Sequence, residues 1–174
     1  GMKEVKYGFL FYLEGEKMEL TALIMDTRSK KVKQFSLPAD VEYIASEFGY
    51  DREDVSFTIQ SIEELSALNC GGLTLDLANS IAENVEDVEE NLVLSFIESD
   101  NLDPSYLASV DFDDCSLYPD VDTDRELGEY LINEVGVELS KEKLLFYIDY
   151  EKFGRDVRLE EGGRFVDKGY FVSR

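Results

Sequence analysis

Short segments in which apolar and polar residues alternate occupy the first third of the chain. Residues 5–13 and 19–26 are rich in apolar residues and flank the turn-forming Glu14-Gly15-Glu16, which predicts two strands joined by a turn. Residues 32–36 favour a short third strand. Residues 55–60 alternate apolar and polar side chains, as a half-buried strand does.

One helix is predicted between the third and fourth of these strands. After Pro38, the spacing from Asp40 to Phe48 places several apolar residues on one helical face, and Gly49 follows where a helix commonly ends. The strands and this helix predict a small α+β domain that ends near residue 61.

The middle of the chain has helical periodicity. Ser61-Ile-Glu-Glu64 has the spacing of a capping box and predicts a helix through Leu68. Helical patterns follow at 73–83 and 85–98, and Asp103-Pro104 supplies the N-cap and first residue of another helix. We therefore expect a mostly α-helical domain here.

The last third begins after a stretch of acids and turn formers at residues 111–122, which surrounds a possible strand at Cys115–Tyr118. Thr123-Asp-Arg-Glu126 is a second capping box and predicts a helix that ends at Gly136, with Leu127, Tyr130, Leu131 and Val135 facing inward. Ser140 is predicted to cap the next helix. Short strands are predicted at 157–160, 164–166 and 170–173.

These elements predict the fold class α+β, as an elongated chain of three small domains. The expected domains are residues 1–61 (α+β), 62–112 (mostly α) and 113–174 (α+β). The chain has 174 residues, of which 44% are hydrophobic, and this is enough to build hydrophobic cores despite a net charge of −22.

The negative charge is concentrated in one part of the chain. Residues 34–140 hold 27 Asp and Glu but only two basic residues, Arg52 and Arg125, whereas the two ends are nearly neutral. Duplex DNA carries one charge per about 1.7 Å, so the excess of 25 carboxylates matches roughly 40 Å of duplex. A surface with this charge would compete with DNA for a basic groove.

The acids alternate with apolar residues at structured spacings. A helix over 85–98 would bury Val85, Val88, Leu92 and Phe96 and turn the acids between them outward. We call the predicted outward carboxylates the acidic set: Asp76, Glu83, Glu86, Asp87, Glu89, Glu90, Glu98, Asp100, Asp103, Asp111, Asp113, Asp114, Asp120, Asp122, Asp124, Glu126, Glu129 and Glu134.

The missing residue types argue against most enzyme classes. The chain contains no histidine, which removes the usual general base and the commonest zinc ligand, and it contains no phosphate-binding glycine motif. We therefore expect no catalytic activity, cofactor or metal. Cys70 and Cys115 are far apart and predict buried free thiols in a reducing cytoplasm, and no signal or membrane segment is predicted.

Two other functions are compatible with the acidic composition. Asp111-Phe-Asp-Asp114 and Asp120-Val-Asp-Thr-Asp124 cluster oxygen ligands and allow a protein that binds calcium or magnesium, although the full calcium-loop motif is absent. An acid pair such as Asp113 and Asp114 also allows a carboxylate-dependent hydrolase, with no recognisable site around it.

The C-terminal third contains a specific motif. Tyr147-Ile-Asp-Tyr-Glu-Lys-Phe-Gly-Arg-Asp156, preceded by Glu126-Leu-Gly-Glu-Tyr-Leu-Ile-Asn-Glu-Val-Gly136, resembles the end of the ArdA family of antirestriction proteins. The resemblance is strong over residues 113–174 and weaker upstream, where Phe57-Thr-Ile-Gln-Ser-Ile-Glu63 is similar to the end of the family's first domain. The N-terminal strand pair departs from the family, because it lacks the usual Asn-Gly turn and the chain has no tryptophan.

The resemblance implies a curved, elongated homodimer of three-domain chains that mimics B-form DNA and inhibits type I restriction–modification enzymes. It also implies that the helix from Asp124 to Gly136 lies near the dimer contact, and that the protein is associated with mobile genetic elements. The expected partner is the enzyme's DNA-binding groove, and no binding to nucleic acid or membrane is expected.

The motif also has a structural interpretation. Tyr147, Tyr150 and Phe153 are three residues apart on one helical face and are predicted to be core. Gly154 is predicted to adopt a positive φ at a helix end, and Arg155 is predicted to pair with Asp156. With Asp149, these residues form the structural block Tyr147, Asp149, Tyr150, Gly154, Arg155 and Asp156.

Overall fold

The computed structural model describes residues 18–99 and 102–173, and it contains both helices and strands, which confirms the α+β class. The predicted strand at 5–13 and the turn after it lie outside the described residues. The elements in chain order are β1 (Leu20–Asp26), β2 (Val32–Leu37), α1 (Val41–Phe48), β3 (Phe57–Ile62), α2 (Leu75–Val85), α3 (Glu90–Glu98), α4 (Pro104–Ser109), α5 (Asp124–Asn133), α6 (Lys141–Tyr147), α7 (Tyr150–Glu161), β4 (Arg164–Val166) and β5 (Gly169–Phe171).

The described residues form two compact units, which divide between Pro119 and Asp120. The first unit is built on an antiparallel sheet of order β2-β1-β3, in which Leu20 pairs with Leu37 and Ala22 pairs with Ile62. Alternate residues of β1 are buried, as the sequence pattern predicts. The predictions of β1 and β2 are confirmed, and β3 begins two residues later than predicted.

Helix α1 follows its sequence signals closely. Ile44 and Ala45 are buried, and Ile44 belongs to the hydrophobic cluster that also contains the buried residues of β1. Gly49 ends the helix with φ at 82°, and its N–H donates to the carbonyl oxygens of Ala45 and Ser46. A positive φ is strained for residues with a Cβ, so glycine suits this position.

The sheet and the helices of the first unit share one hydrophobic core. Buried side chains from Met18 in the sheet region to Phe112 after α4 belong to a single cluster. Asn79 on α2 also joins the two parts, because its amide accepts from the Ala39 N–H and donates to the Ala39 carbonyl, both at 2.9 Å. A domain boundary near residue 61 is therefore not marked by separate cores, and the division into three domains stays a prediction.

The prediction of one continuous helix over residues 85–98 is wrong. Helix α2 ends at Val85, and α3 begins at Glu90 after a turn in which Glu89 is extended. Its carboxylate accepts from the N–H of Asn91 at 3.3 Å and caps α3. A continuous helix would stack Glu86 and Glu90 one turn apart, where like charges repel. Of the four residues predicted to be core, Val85 is buried and the others are partly buried against the core.

The prediction of a helix from Ser61 to Leu68 is also wrong. Ser61 lies in β3, and only Glu63–Leu65 form a single 3₁₀ turn. The expected capping partner Glu64 accepts instead from the backbone N–H of Thr21 in β1, at 2.7 Å. A tertiary hydrogen bond thus replaces the local one.

Two predicted strands are absent from the described residues. Cys115–Tyr118 contains no strand and follows a 3₁₀ turn at Phe112–Asp114, and residues 157–160 belong to α7. Helix α7 continues to Glu161, where Gly162 adopts a left-handed conformation that ends it. The predicted strands at 164–166 and 170–173 correspond to β4 and β5, which pair as a hairpin.

The second unit consists of α5, α6, α7 and this hairpin. Both predicted caps are confirmed: the Thr123 hydroxyl accepts from the N–H of Glu126, and the Ser140 hydroxyl accepts from the N–H of Lys143. The predicted inward face of α5 is at most half-buried, and Leu127 is exposed. Within residues 120–173, no hydrophobic side chain is buried.

Candidate functional site

The carboxylates of the acidic set lie on the surface. All seventeen members that the structure describes are exposed, on or beside the helices from α2 to α5. Asp100 lies outside the described residues. The outward orientation predicted for Glu86, Asp87, Glu89 and Glu90 is confirmed, although the helix that was expected to carry them is broken.

Positive charge is scarce in the stretch from Asp76 to Glu134, where Arg125 is the one basic residue of the sequence. From Glu53 to Asp124 the chain carries 19 Asp and Glu and no Lys or Arg. Among the ion pairs between described residues, the only one that involves the acidic set joins Arg125 to Glu129 at 2.8 Å, one helical turn apart. The exposed carboxylates of the acidic set therefore carry a high density of negative charge, which raises the local concentration of cations and attracts cationic surfaces.

Four members of the acidic set also hold the backbone in place. Glu89, Asp103 and Asp111 each accept a backbone N–H two residues further along the chain, and so begin α3, α4 and the 3₁₀ turn. Glu126 accepts from the N–H of Asp122 at 2.8 Å, while Thr123 caps the same helix. These carboxylates fix the helices that present the others.

The capping bonds also keep two of these carboxylates ionised. The pKa of Asp103 is lowered by the N–H and then by the hydroxyl of Ser105. The pKa of Glu126 is lowered by the N–H of Asp122 and then by the Thr123 hydroxyl. Hydrogen bonds to the charged form favour it, so these two positions retain negative charge in mildly acidic solution.

The sequence signals for these caps differ in strength. Asp103 before Pro104 and the Thr123–Glu126 box are recognisable patterns, and both occur in the structure. The caps made by Glu89 and Asp111 were not predicted, because each lies in a run of acids where no single carboxylate stands out.

The structural block does not form a core. Tyr147 and Tyr150 are exposed, as is Phe153, and a break at Ile148-Asp149 places them on two helices instead of one. The Asp149 carboxylate accepts from the N–H of Lys152 and begins α7. The prediction of a shared buried face is therefore wrong within this chain.

The other two predictions for the block have different outcomes. Gly154 lies inside α7 and is not among the glycines with a positive φ, so the expected helix end is wrong. Arg155 and Asp156 do approach, with 3.9 Å between Nε and Oδ1, but both side chains are exposed. Such a surface pair contributes little to stability.

A metal centre has no support in the described part of the chain. There, no group of three or more Cys, Asp or Glu side chains is arranged to hold a metal ion. The clusters at 111–114 and 120–124 therefore do not form the ligand set that the cation-binding alternative requires. None of the described helices is long and apolar enough to cross a membrane.

Comparison with known proteins gives one result. A family model described as "Antirestriction protein (ArdA)" matches residues 13–172, which is nearly the whole chain. A search of curated proteins found no match.

Proposed function

The chain belongs to the ArdA family of antirestriction proteins, and we propose that it inhibits type I restriction–modification enzymes by occupying their DNA-binding groove as a mimic of DNA. Antirestriction function follows from the family. The target class and the mimicry are proposals that rest on the resemblance and on the charge of the surface. In this mechanism the protein works stoichiometrically, without catalysis.

The observation that carries the proposal is the exposed acidic set, in a stretch of sequence with almost no basic residues. A groove that binds duplex DNA places Lys and Arg side chains against phosphates and gains affinity by releasing counterions. Fixed carboxylates on folded helices offer the same groove an equivalent array of negative charge. Because the array is dispersed, no single Asp or Glu is expected to be indispensable.

The proposal predicts salt-dependent inhibition of a purified type I restriction enzyme. Cleavage of unmodified DNA is measured at fixed enzyme and increasing amounts of this protein, at two salt concentrations and with competitor duplex. Inhibition should be stoichiometric, and both salt and competitor should relieve it. No inhibition of several type I enzymes at a large excess would contradict the target class. Inhibition that competitor DNA leaves unchanged would contradict mimicry.

A homodimer through the second unit is the other part of the proposal. The most exposed large apolar side chains of the described chain lie there, with Phe146 86%, Tyr147 79% and Phe165 77% exposed. Large exposed apolar patches mark association sites. Residues 141–174 carry eight basic and seven acidic residues, so repulsion between two chains of net charge −22 is weakest in this region.

We expect the protein to have a solution mass of twice the 19.8 kDa chain, measured by light scattering after size exclusion. The double substitution Phe146→Ser and Tyr147→Ser should shift it towards the monomer, because two exposed aromatic contacts are lost. Tyr43→Ser is the matched control, since Tyr43 is an exposed aromatic of the first unit. A monomeric wild type, or a dimer that survives the double substitution, would contradict this contact.

A further inference from the structure

Among the described residues from Asp76 to Glu134, the most exposed aromatic side chain is Tyr106. Tyr106 lies on α4 and is 59% exposed. Asp103 precedes it by three residues, and Asp111, Asp113 and Asp114 follow within eight, all of them exposed. Tyr106 therefore places an exposed aromatic ring on a segment whose other exposed side chains include several carboxylates.

The backbone that carries Tyr106 is held firmly. The next residue, Leu107, is fully buried in the core. The side-chain amide of Asn84 on α2 donates to the carbonyl oxygens of Leu107 and Val110, at 2.9 and 3.0 Å. At the other end of the helix, Asp103 caps it through the N–H and hydroxyl of Ser105. These contacts fix the position of α4, so the backbone that carries the exposed Tyr106 ring is rigid.

We propose that Tyr106 is an anchor of the interface with the DNA-binding groove, where its ring packs against Lys and Arg side chains that otherwise hold phosphates. This inference rests on the proposed function. The partner is defined by charge complementarity, because an aromatic face attracts cations and the exposed acids of the same segment favour a basic surface. A tyrosine on a rigid helix loses little conformational entropy when it binds.

The anchor adds a kind of affinity that the carboxylates do not supply. Attraction between exposed opposite charges is screened by salt. Packing of a desolvated ring is not screened in this way, and a few well-packed aromatic or arginine residues commonly dominate the affinity of an interface. Tyr106 is therefore expected to set the affinity that persists at high salt, while the acids set the salt dependence.

The test compares Tyr106→Ala with Asp113→Asn, an exposed position on the same segment. Dissociation constants for a type I enzyme are measured from low to high salt, using the full chain. Tyr106→Ala should raise the dissociation constant about tenfold or more at every salt concentration and leave the salt slope unchanged. Asp113→Asn should reduce the slope and have little effect at high salt. Tyr106→Phe, which keeps the ring, should stay close to wild type.

Three results would overturn the anchor. They are unchanged affinity of Tyr106→Ala, a change confined to the salt slope, or a loss in Tyr106→Phe as large as in Tyr106→Ala. Melting temperatures of the variants identify any loss that comes from unfolding, and Tyr106→Lys provides a second folded probe that groove cations should repel. If the wild-type protein binds no type I enzyme, the proposed function fails. If wild type binds and Tyr106→Ala binds equally well, only the anchor fails.

Discussion

Neutralising four exposed carboxylates together, as Glu83→Gln, Glu86→Gln, Asp113→Asn and Asp114→Asn, should weaken inhibition of a type I enzyme on the order of 50-fold. Each exposed ion pair contributes about 0.2–1 kcal/mol, and about 1.4 kcal/mol corresponds to a tenfold change in affinity. All four side chains are exposed, and none is among the capping carboxylates, so the fold should be preserved. The measurement is the inhibition constant of the wild type and of the variant at low and at high salt. The ratio of the two constants should shrink as the salt concentration rises.

A matched control separates the acidic surface from net charge. The variant Glu19→Gln, Asp51→Asn, Glu53→Gln and Asp54→Asn removes the same charge with the same mixture of amides. These residues are exposed and lie outside the acidic set, in the part of the chain before α2 that also carries Arg28, Lys33 and Arg52. We expect this variant to weaken inhibition by less than about threefold, because the four exposed carboxylates that it neutralises lie outside the acidic set. Equal losses in the two variants would show that total charge matters and that the position of the acids does not.

The elements predicted correctly are those with complete local signals. Strand β1 alternates along its length, and α1 and α4 each have a recognisable start or stop residue. The errors occur where a distant partner outcompetes a local signal. Glu64 has the spacing to cap a helix at Ser61, yet it bonds to Thr21, 43 residues earlier in the chain. Sequence spacing gives no information about such a partner.

The exposure of the acidic set could be predicted from the sequence, whereas the contacts of the aromatic side chains could not. Clustered carboxylates are too costly to bury unpaired, so their exposure follows from composition and periodicity. The burial predicted for the tyrosines of the structural block is wrong. Their spacing indicated a common face, but periodicity does not specify what that face contacts. In the second unit, the large apolar side chains are left uncovered by their own unit, which fits the proposed contact with a second chain.

The burial of Asp26, the one buried charged residue of the described chain, is also not predictable from the sequence. At the end of a strand, Asp26 resembles an ordinary turn residue, and Ser29 is close enough to be anticipated as a partner. Tyr50 is 24 residues further on and donates its hydroxyl to the same carboxylate at 3.0 Å. Only the fold brings this second partner into place.

Asp26→Asn should cause the largest loss of stability among single substitutions at carboxylates. Asp26 accepts hydrogen bonds from the hydroxyl and N–H of Ser29, the hydroxyl of Tyr50 and the N–H of Arg28. An amide would direct its own N–H groups at these donors and leave some of them unsatisfied in a buried site. We expect the melting temperature to fall by roughly 5–10 °C. Asp40→Asn is the control, because Asp40 is exposed and its side chain makes no capping bond, and it should change the melting temperature little.

The same network makes the effect of Asp26→Asn depend on pH. The pKa of Asp26 is lowered from 3.8 to about 2, chiefly by the Ser29 hydroxyl, with further bonds from Tyr50 and two backbone N–H groups outweighing the effect of burial. A carboxyl group whose pKa is lower in the folded state stabilises the fold fully above its unfolded pKa, and this contribution is lost as the pH falls through the folded value. The melting-temperature difference between wild type and Asp26→Asn should therefore be constant above about pH 5 and shrink between pH 5 and pH 2. Other carboxylates titrate equally in both proteins, so the difference isolates Asp26. A difference that stays constant down to pH 2 would contradict the stabilisation of the ionised Asp26 carboxylate by these hydrogen bonds.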